Sequence, residues 1–319
     1  MSAKRSAVCY LTRVPDPETI EFAEQLARDS RLASNVDVYI MIDDNNYQIP
    51  SNSPVHFIQV NNQECLANGY HSSNKLEMNK DCISWDKAIY YFCRVKQRDY
   101  SFVWLIEDDT FIPSADAFVF LHEKYSKDGC GDLICQKNEE NLHGDTSGWK
   151  WADVVGKFQP PWYHSMVCAI GCSRKLLDAI ANYVQQRHFL PFIEYMFNTI
   201  AMQNRLKVVN PPELNTIVFR ENWTWENVRQ RPNNWFHPFK NEHIRRENRQ
   251  KLCNAWQPPT QHVDYAANVA HQHNYPYQGQ MPQYPYFMES SQAGQPPNGG
   301  NVVSSLVYRP NAPPPYPPH

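Results

Sequence analysis

The chain has 319 residues, 42% of them hydrophobic, with 30 Lys plus Arg against 33 Asp plus Glu. The apolar share can bury a sizeable core, and the length suits one large domain or two modest ones. A formal charge of −3 lacks the basic excess expected of a nucleic-acid or anionic-membrane binder, and the apolar runs are too short to span a bilayer.

The start, Met-Ser-Ala-Lys-Arg, is polar and has no signal-peptide h-region, so the expected location is cytoplasmic. Ala7 to Val14 is a β-branched and aromatic run suited to a buried strand. Asp16 followed by Pro17 predicts a helix start, with Ile20, Ala23, Leu26 and Ala27 on one face. A second strand is expected over Asp37 to Ile42, ending at Asp43 and Asp44, and a short third over His56 to Val60. A polar loop, Gly69 to Lys80, leads to a predicted helix from Ser84 to Lys96. Phe102 to Ile106 is a wholly apolar strand that stops abruptly at Glu107, Asp108 and Asp109. Beyond it the pattern gives a helix, a strand at Asp132 to Cys135, a long loop, a strand at Met166 to Ile170 and a helix over Arg174 to Arg187. Strands alternating with helices imply an α/β fold with a mostly parallel sheet flanked by helices on both faces. Sheets of that kind bind ligands beyond the carboxyl ends of their strands, where these acids fall.

The composition changes near the end. From Pro258 onward, 62 residues carry 13 of the 25 prolines and only three charges, Asp264, Glu289 and Arg309. Such a stretch cannot bury enough apolar surface to offset its ordering entropy, so residues 1–253 are read as the folded domain and 254–319 as a disordered tail. Within it, Pro313, Pro314, Pro315 and Tyr316 form a PPxY sequence of the sort that WW-domain proteins bind. The nine cysteines are odd in number and form no CxxC pair, which points to buried free thiols rather than a disulfide framework.

Three consecutive carboxylates after a buried strand repel one another, and burial penalises each charge. A divalent cation is the usual compensation, and hard oxygen ligands suit Mn²⁺ or Mg²⁺. A solvated strand-end turn is the other explanation.

The segment YSFVWLIEDDTFIP resembles the DXD-containing stretch of GT-A-fold (Rossmann-like) glycosyltransferases, with Glu107 where Asp is commoner. The resemblance covers about residues 5 to 250 and implies a metal-dependent enzyme that moves a sugar from a nucleotide-sugar donor to an acceptor hydroxyl on a glycan, protein or small molecule. It implies Glu107, Asp109 and His237 as metal ligands, the last in NNWFHPFK, with Lys240 near a phosphate oxygen. Thr12, Arg13, Asp43, Asp44, Lys87 and Asp108 would contact the nucleotide sugar. His164, Ser165 and MVCAIG resemble the strand and glycine loop at the sugar site. Glu194, in FLPFIEYMFNTIA, would be the catalytic base, with Tyr195 where the family usually has Asp.

Each residue also has an ordinary explanation. Glu194 suits the surface of an amphipathic helix, His237 a packed loop, and Asp43 with Asp44 an Asx turn. Trp149, Trp151, Trp162 and Tyr163 read either as core packing or as a sugar-stacking platform. The basic run His243 to Lys251 reads as a solvated terminal helix. Two other functions stay open: a nucleotidyltransferase, for which the first strand lacks a Gly-rich phosphate loop, and a non-catalytic adaptor acting through the PPxY tail.

Overall fold

The structure, a computed structural model, describes residues 5–74, 82–97 and 99–255. The Pro-rich segment and its Pro313–Tyr316 motif lie outside the described residues. In chain order the elements are β1 (Arg5–Thr12), α1 (Pro17–Arg28), β2 (Val36–Ile42), β3 (His56–Gln59), α2 (Asn62–Ala67), α3 (Ser84–Tyr90), β4 (Tyr100–Glu107), α4 (Ala115–Tyr125), β5 (Leu133–Ile134), β6 (Glu139–Asn141), β7 (Trp162–His164), β8 (Ala169–Ser173), α5 (Arg174–Arg187), α6 (Ile193–Gln203), β9 (Val208–Val209), α7 (Trp225–Gln230) and α8 (Glu242–Ala255).

Seven strands form one sheet in the order β3-β2-β1-β4-β8-β5-β9, and β6 and β7 form a separate pair. The first four strands of that order are parallel. β8 runs antiparallel to both β4 and β5. The sheet is therefore mixed but mostly parallel. From β1 the chain steps outward through β2 to β3, then returns to place β4 on the other side of β1. That reversal leaves a crevice at the carboxyl ends of β1 and β4.

Residues alternate across the sheet. Val8, Tyr10, Val38, Ile40, Trp104 and Ile106 join α1 and α4 on one face. Cys9, Leu11, Met41, Val103, Leu105 and Ile170 join α3, α5 and α6 on the other. Each buried Val, Leu or Ile contributes about 1.5–3 kcal/mol. α1 begins as the sequence predicts, with Pro17 in its first turn and the Asp16 carboxylate accepting from Thr19 N at 2.8 Å. Seven of the nine cysteines are buried, and all nine are unpaired.

Several expectations change. The strand expected over Met166 to Ile170 begins three residues later, at Ala169. Gly171 is inside that strand, not in a loop: a Cβ there would lie 2.6 Å from Phe102 Cζ, so close sheet packing requires the glycine. The helix expected to Lys96 is α-helical only to Tyr90 and widens to a π-helical turn over Tyr91–Val95. The aromatic cluster is mostly interior: Trp151, Trp162 and Tyr163 are buried, and Trp149 is stacked on His164 with centroids 3.8 Å apart.

α8 is helical as expected, but it is not merely solvated. Arg245 is buried with its side chain 2% exposed, pairing with Glu18 at 2.8 Å and with Asp16. A third bond from Arg245 reaches Phe239 O at 2.8 Å. Arg249 also holds Glu18, at 2.5 Å, and its guanidinium lies 3.5 Å from the Phe22 ring centroid. These pairs join residues more than two hundred positions apart, which local sequence cannot disclose. Removing one partner of a buried pair strands the other charge. Arg245→Ala is therefore expected to destabilise the fold by about 3–5 kcal/mol in urea unfolding. Arg246→Ala, at a pair with Glu21 whose side chains are 34% and 64% exposed, should cost less than about 1 kcal/mol.

Candidate active site

The carboxyl ends of β1, β2 and β4 are stitched together. Asp43 N donates to Thr12 O at 2.9 Å, Asp44 N to Arg13 O at 3.1 Å and Asp108 N to Leu11 O at 3.1 Å. The Thr12 hydroxyl donates to the Asp108 carboxylate across the crevice. Lys87 is fully buried, and its ammonium binds Asp43 O at 2.6 Å, Asp43 Oδ1 at 3.1 Å and Asn45 Oδ1 at 3.3 Å. It thus holds the turn that follows β2. Asp44 forms an Asx turn there, accepting from Asn46 N at 2.8 Å. Arg13 is exposed.

Beside this crevice lies a cavity of about 210 Å³ lined by Glu107, Asp109, Cys168, Glu194, His237 and Lys240 among others. Five residues singled out in the sequence therefore meet there. Thr12, Arg13, Asp43, Asp44, Lys87 and Asp108 stand outside its lining. Larger hollows exist, including one at the amino ends of β4 and α5, but they lack this convergence of acids and imidazole.

His237 reaches the cavity because its neighbours are anchored. Trp235 enters the core against Trp104, with centroids 5.0 Å apart. Phe236 exchanges backbone hydrogen bonds with Phe111 at 2.8 and 2.9 Å, and Phe239 N donates to Asp109 O at 2.7 Å. Between these anchors the His237 ring lies with Nδ1 2.7 Å from Val218 O, while Nε2 lies 3.2 Å from Asp109 Oδ1 and 3.6 Å from Glu107 Oε2. A carbonyl oxygen only accepts, so Nδ1 must carry hydrogen. The neutral ring then presents the Nε2 lone pair to two carboxylates, an arrangement that needs either a proton or a cation between them. An outer N–H donated to a carbonyl is how metal-ligating histidines are commonly oriented.

Glu107 is aimed in a similar way. Trp85 Nε1 donates to Glu107 Oε1 at 2.7 Å, leaving Oε2 toward His237. Glu107, Cys168 and His237 each bring a ligand atom to within 4.8 Å of the others, a cluster able to hold a metal ion. With Asp109 beside them, the donor chemistry fits a divalent cation.

The two neighbouring aspartates have opposite environments. Burial pushes Asp108 up to about 6, despite the Thr12 hydrogen bond. Burial also works against the charged form of Asp109, but the hydrogen bond and charge of His237, with Lys240 and Arg245 behind it, hold its carboxyl below the usual range. Across the cavity, burial lifts Glu194 to about 7, with Lys150 pulling it back and Glu107 pushing it further. Glu194 belongs to the first turn of α6, and its carbonyl accepts from Ser165 N at 3.0 Å. Ser165 is tied to Asn198 at 2.9 Å, and burial lowers the stacked His164 to about 4, so it is neutral.

The sequence places Cys168 near the site only as a member of MVCAIG, with no sign that its sulfur meets Glu107 and His237, and it gives no sign of Val218. The role of Trp85 is also hidden, because it depends on a residue one strand away.

No protein-family model matches the chain, and no curated protein matches it. Among solved structures, the chain is similar to the galactosyltransferase LgtC in complex with donor and acceptor sugar analogs, at 13% identity and a TM-score of 0.39 over 80% of this chain and 98% of that one. It is also similar to the bifunctional glycosyltransferase WbbM, at 10% identity and 0.39 over 78% of this chain and 50% of that one. Mouse xyloside xylosyltransferase 1 is similar at 11% identity and 0.31 over 66% and 85%.

The fixed tautomer of His237 has a direct consequence for the titration of the metal-free protein. Burial favours neutral His237, but the Asp109 hydrogen bond and the charges of Asp109 and Glu107 outweigh it and raise its pKa above 6.5. In an NMR titration, His237 should therefore remain protonated above pH 6.5. Asp109→Asn removes the strongest of the stabilising contacts and should bring the transition down. A His237 signal that titrates identically in both proteins contradicts the geometry.

Proposed function

We propose that the chain is a divalent-cation-dependent glycosyltransferase that moves a sugar from a nucleotide-sugar donor to an acceptor hydroxyl. The observation that carries this reading is His237, fixed by Val218 O and aimed at Asp109 and Glu107, with Glu194 facing the same cavity. The cation would be Mn²⁺ or Mg²⁺, and when bound it would supply positive charge against the departing diphosphate.

The remaining chemistry belongs to the chain. Glu107, Asp109 and His237 hold the cation. Lys240, exposed at the cavity rim, adds a second positive charge for phosphate oxygens. The ends of β1 and β2, with Thr12, Arg13, Asp43 and Asp44, receive the nucleoside. Lys87 is committed to their turn, so its role is to position that loop. As transfer proceeds, the sugar–phosphate C–O bond breaks and its electron pair leaves on the diphosphate. The acceptor oxygen forms the new bond, and its proton passes to Glu194. An inverting transfer needs such a base, whereas a retaining one leaves Glu194 without that role.

A buried carboxyl near 7 suits a base working at neutral pH. Glu194 must be deprotonated to accept a proton, so the rate should rise as pH increases through about 7. Glu194→Gln should lower kcat by roughly 10²–10⁴-fold and abolish that limb, while leaving stabilisation by donor plus Mn²⁺ intact. Asp109→Asn should remove both the stabilisation and turnover. The measurements are thermal shifts across nucleotide sugars with and without Mn²⁺, followed by donor hydrolysis or transfer. Full activity in Asp109→Asn, or no donor that stabilises the protein with a cation, overturns the reading.

A further inference from the structure

The proposed reaction makes no use of Cys168. Its backbone is locked just before β8: Cys168 O accepts from Glu107 N at 2.8 Å and from Thr110 Oγ1 at 3.2 Å. These bonds fix the residue against the turn that carries Glu107 and Asp109. The buried side chain lines the cavity, where burial and then the Glu107 carboxylate push its thiol well above the usual range. The sulfur, a Glu107 carboxylate oxygen and a His237 nitrogen all lie within 4.8 Å of one another. Carboxylate and imidazole alone leave the choice of divalent cation open. A sulfur among them does not, because Mg²⁺ takes oxygen donors while Zn²⁺ and Co²⁺ accept thiolate readily.

We infer that Cys168 Sγ is a ligand of the cation held by Glu107 and His237, so that the site takes Zn²⁺ or Co²⁺ in preference to Mg²⁺. On binding, the thiol S–H bond breaks, sulfur keeps the electron pair for the metal, and the proton leaves to solvent. The inference rests on the cation site of the proposed function but not on sugar transfer. It also reverses the preference for a hard cation that the acidic triplet suggests on its own.

The test uses the full chain stripped of metal with a chelator. Titration with Co²⁺ should produce a sulfur-to-cobalt charge-transfer band in the near ultraviolet. Cys168→Ser should lose the band and bind Co²⁺ roughly tenfold or more weakly, while His237→Ala should bind more weakly still. In the unmodified sequence, Zn²⁺ should slow iodoacetamide alkylation of Cys168, read by peptide mass spectrometry. Exposed Cys253 serves as the internal reference and should react at an unchanged rate. Mg²⁺ at the same concentration should protect neither residue. The protection experiment decides the matter if Cys168→Ser does not fold. Cobalt binding that depends on His237 but shows no sulfur band overturns the role of Cys168 and leaves the cation site standing. Equal protection by Mg²⁺ and Zn²⁺ also overturns it. A sulfur band without transfer from any nucleotide sugar supports the inference and counts against the glycosyltransferase reading alone.

Discussion

The hydrogen bond from His237 Nδ1 to Val218 O, 2.7 Å long, sets the character of the whole site. It fixes the tautomer, and the tautomer decides what the other nitrogen can do. A lone pair facing Asp109 and Glu107 in a buried cleft is electrostatically unfavourable, since like-signed groups are poorly screened where water is excluded. The site is therefore built around a missing positive charge. A proton supplies it in the metal-free protein, which is why His237 is pushed up and Asp109 down. In the proposed function a metal ion would supply it with more ligands and greater charge. Protonation and the proposed cation binding would then compete at the same nitrogen.

That arrangement survives only if the segment carrying His237 cannot move, and much of the C-terminal part of the domain serves that end. Trp235 is buried against Trp104 and Phe118, and Phe236 is paired to Phe111 through the backbone. Arg245 extends the chain of restraints, because one guanidinium holds Phe239 O together with Glu18 and Asp16 at the start of α1. α8 is a strongly polar helix, so its docking depends on ion pairs and aliphatic stems rather than on an apolar stripe. The same guanidinium helps keep Asp109 ionised from a distance. Stability and site electrostatics are thus linked through a residue that lies outside the cavity lining.

The legible and illegible parts of the sequence divide along a physical line. β1, β2 and β4 were readable because both faces of a central parallel strand are buried, which forces continuous apolar runs. Their ends were readable because charge cannot continue into such a core, so Glu107 to Asp109 marked a boundary. The apolar run places β8 three residues too early because Met166 and Val167 are apolar for another reason: they line the cavity. The burial of Arg245 in α8 and the task of Lys87 are hidden, since each depends on a partner far away in the chain. Cys168 was hidden differently. As a small hydrophobe it fits an apolar run, and only convergence with Glu107 and His237 gives its sulfur a possible chemical role.

The acidic triplet is best understood as two sites and not one. Asp108 turns toward Thr12 and closes the seam between β1 and β4, where burial keeps its carboxyl near 6. Glu107 and Asp109 face the other way, toward His237. The split arises in the turn that ends β4, closed by Thr110 N donating to Glu107 O at 2.9 Å, which sends Asp108 to one side and Asp109 to the other. A run of three acids therefore brings only two charges to the cavity, while the middle one is spent on the sheet. Asp108 still feels the charge of Asp109, but turning it toward Thr12 keeps it out of the cavity lining, where Glu107 and Asp109 lie with His237 and Cys168. Trp85 then fixes which oxygen of Glu107 remains available. On the inference drawn for Cys168, selectivity would follow from these orientations more than from the number of acids, since three carboxylates in one pocket favour any hard cation, whereas two carboxylates, an imidazole and a thiol would favour Zn²⁺ or Co²⁺.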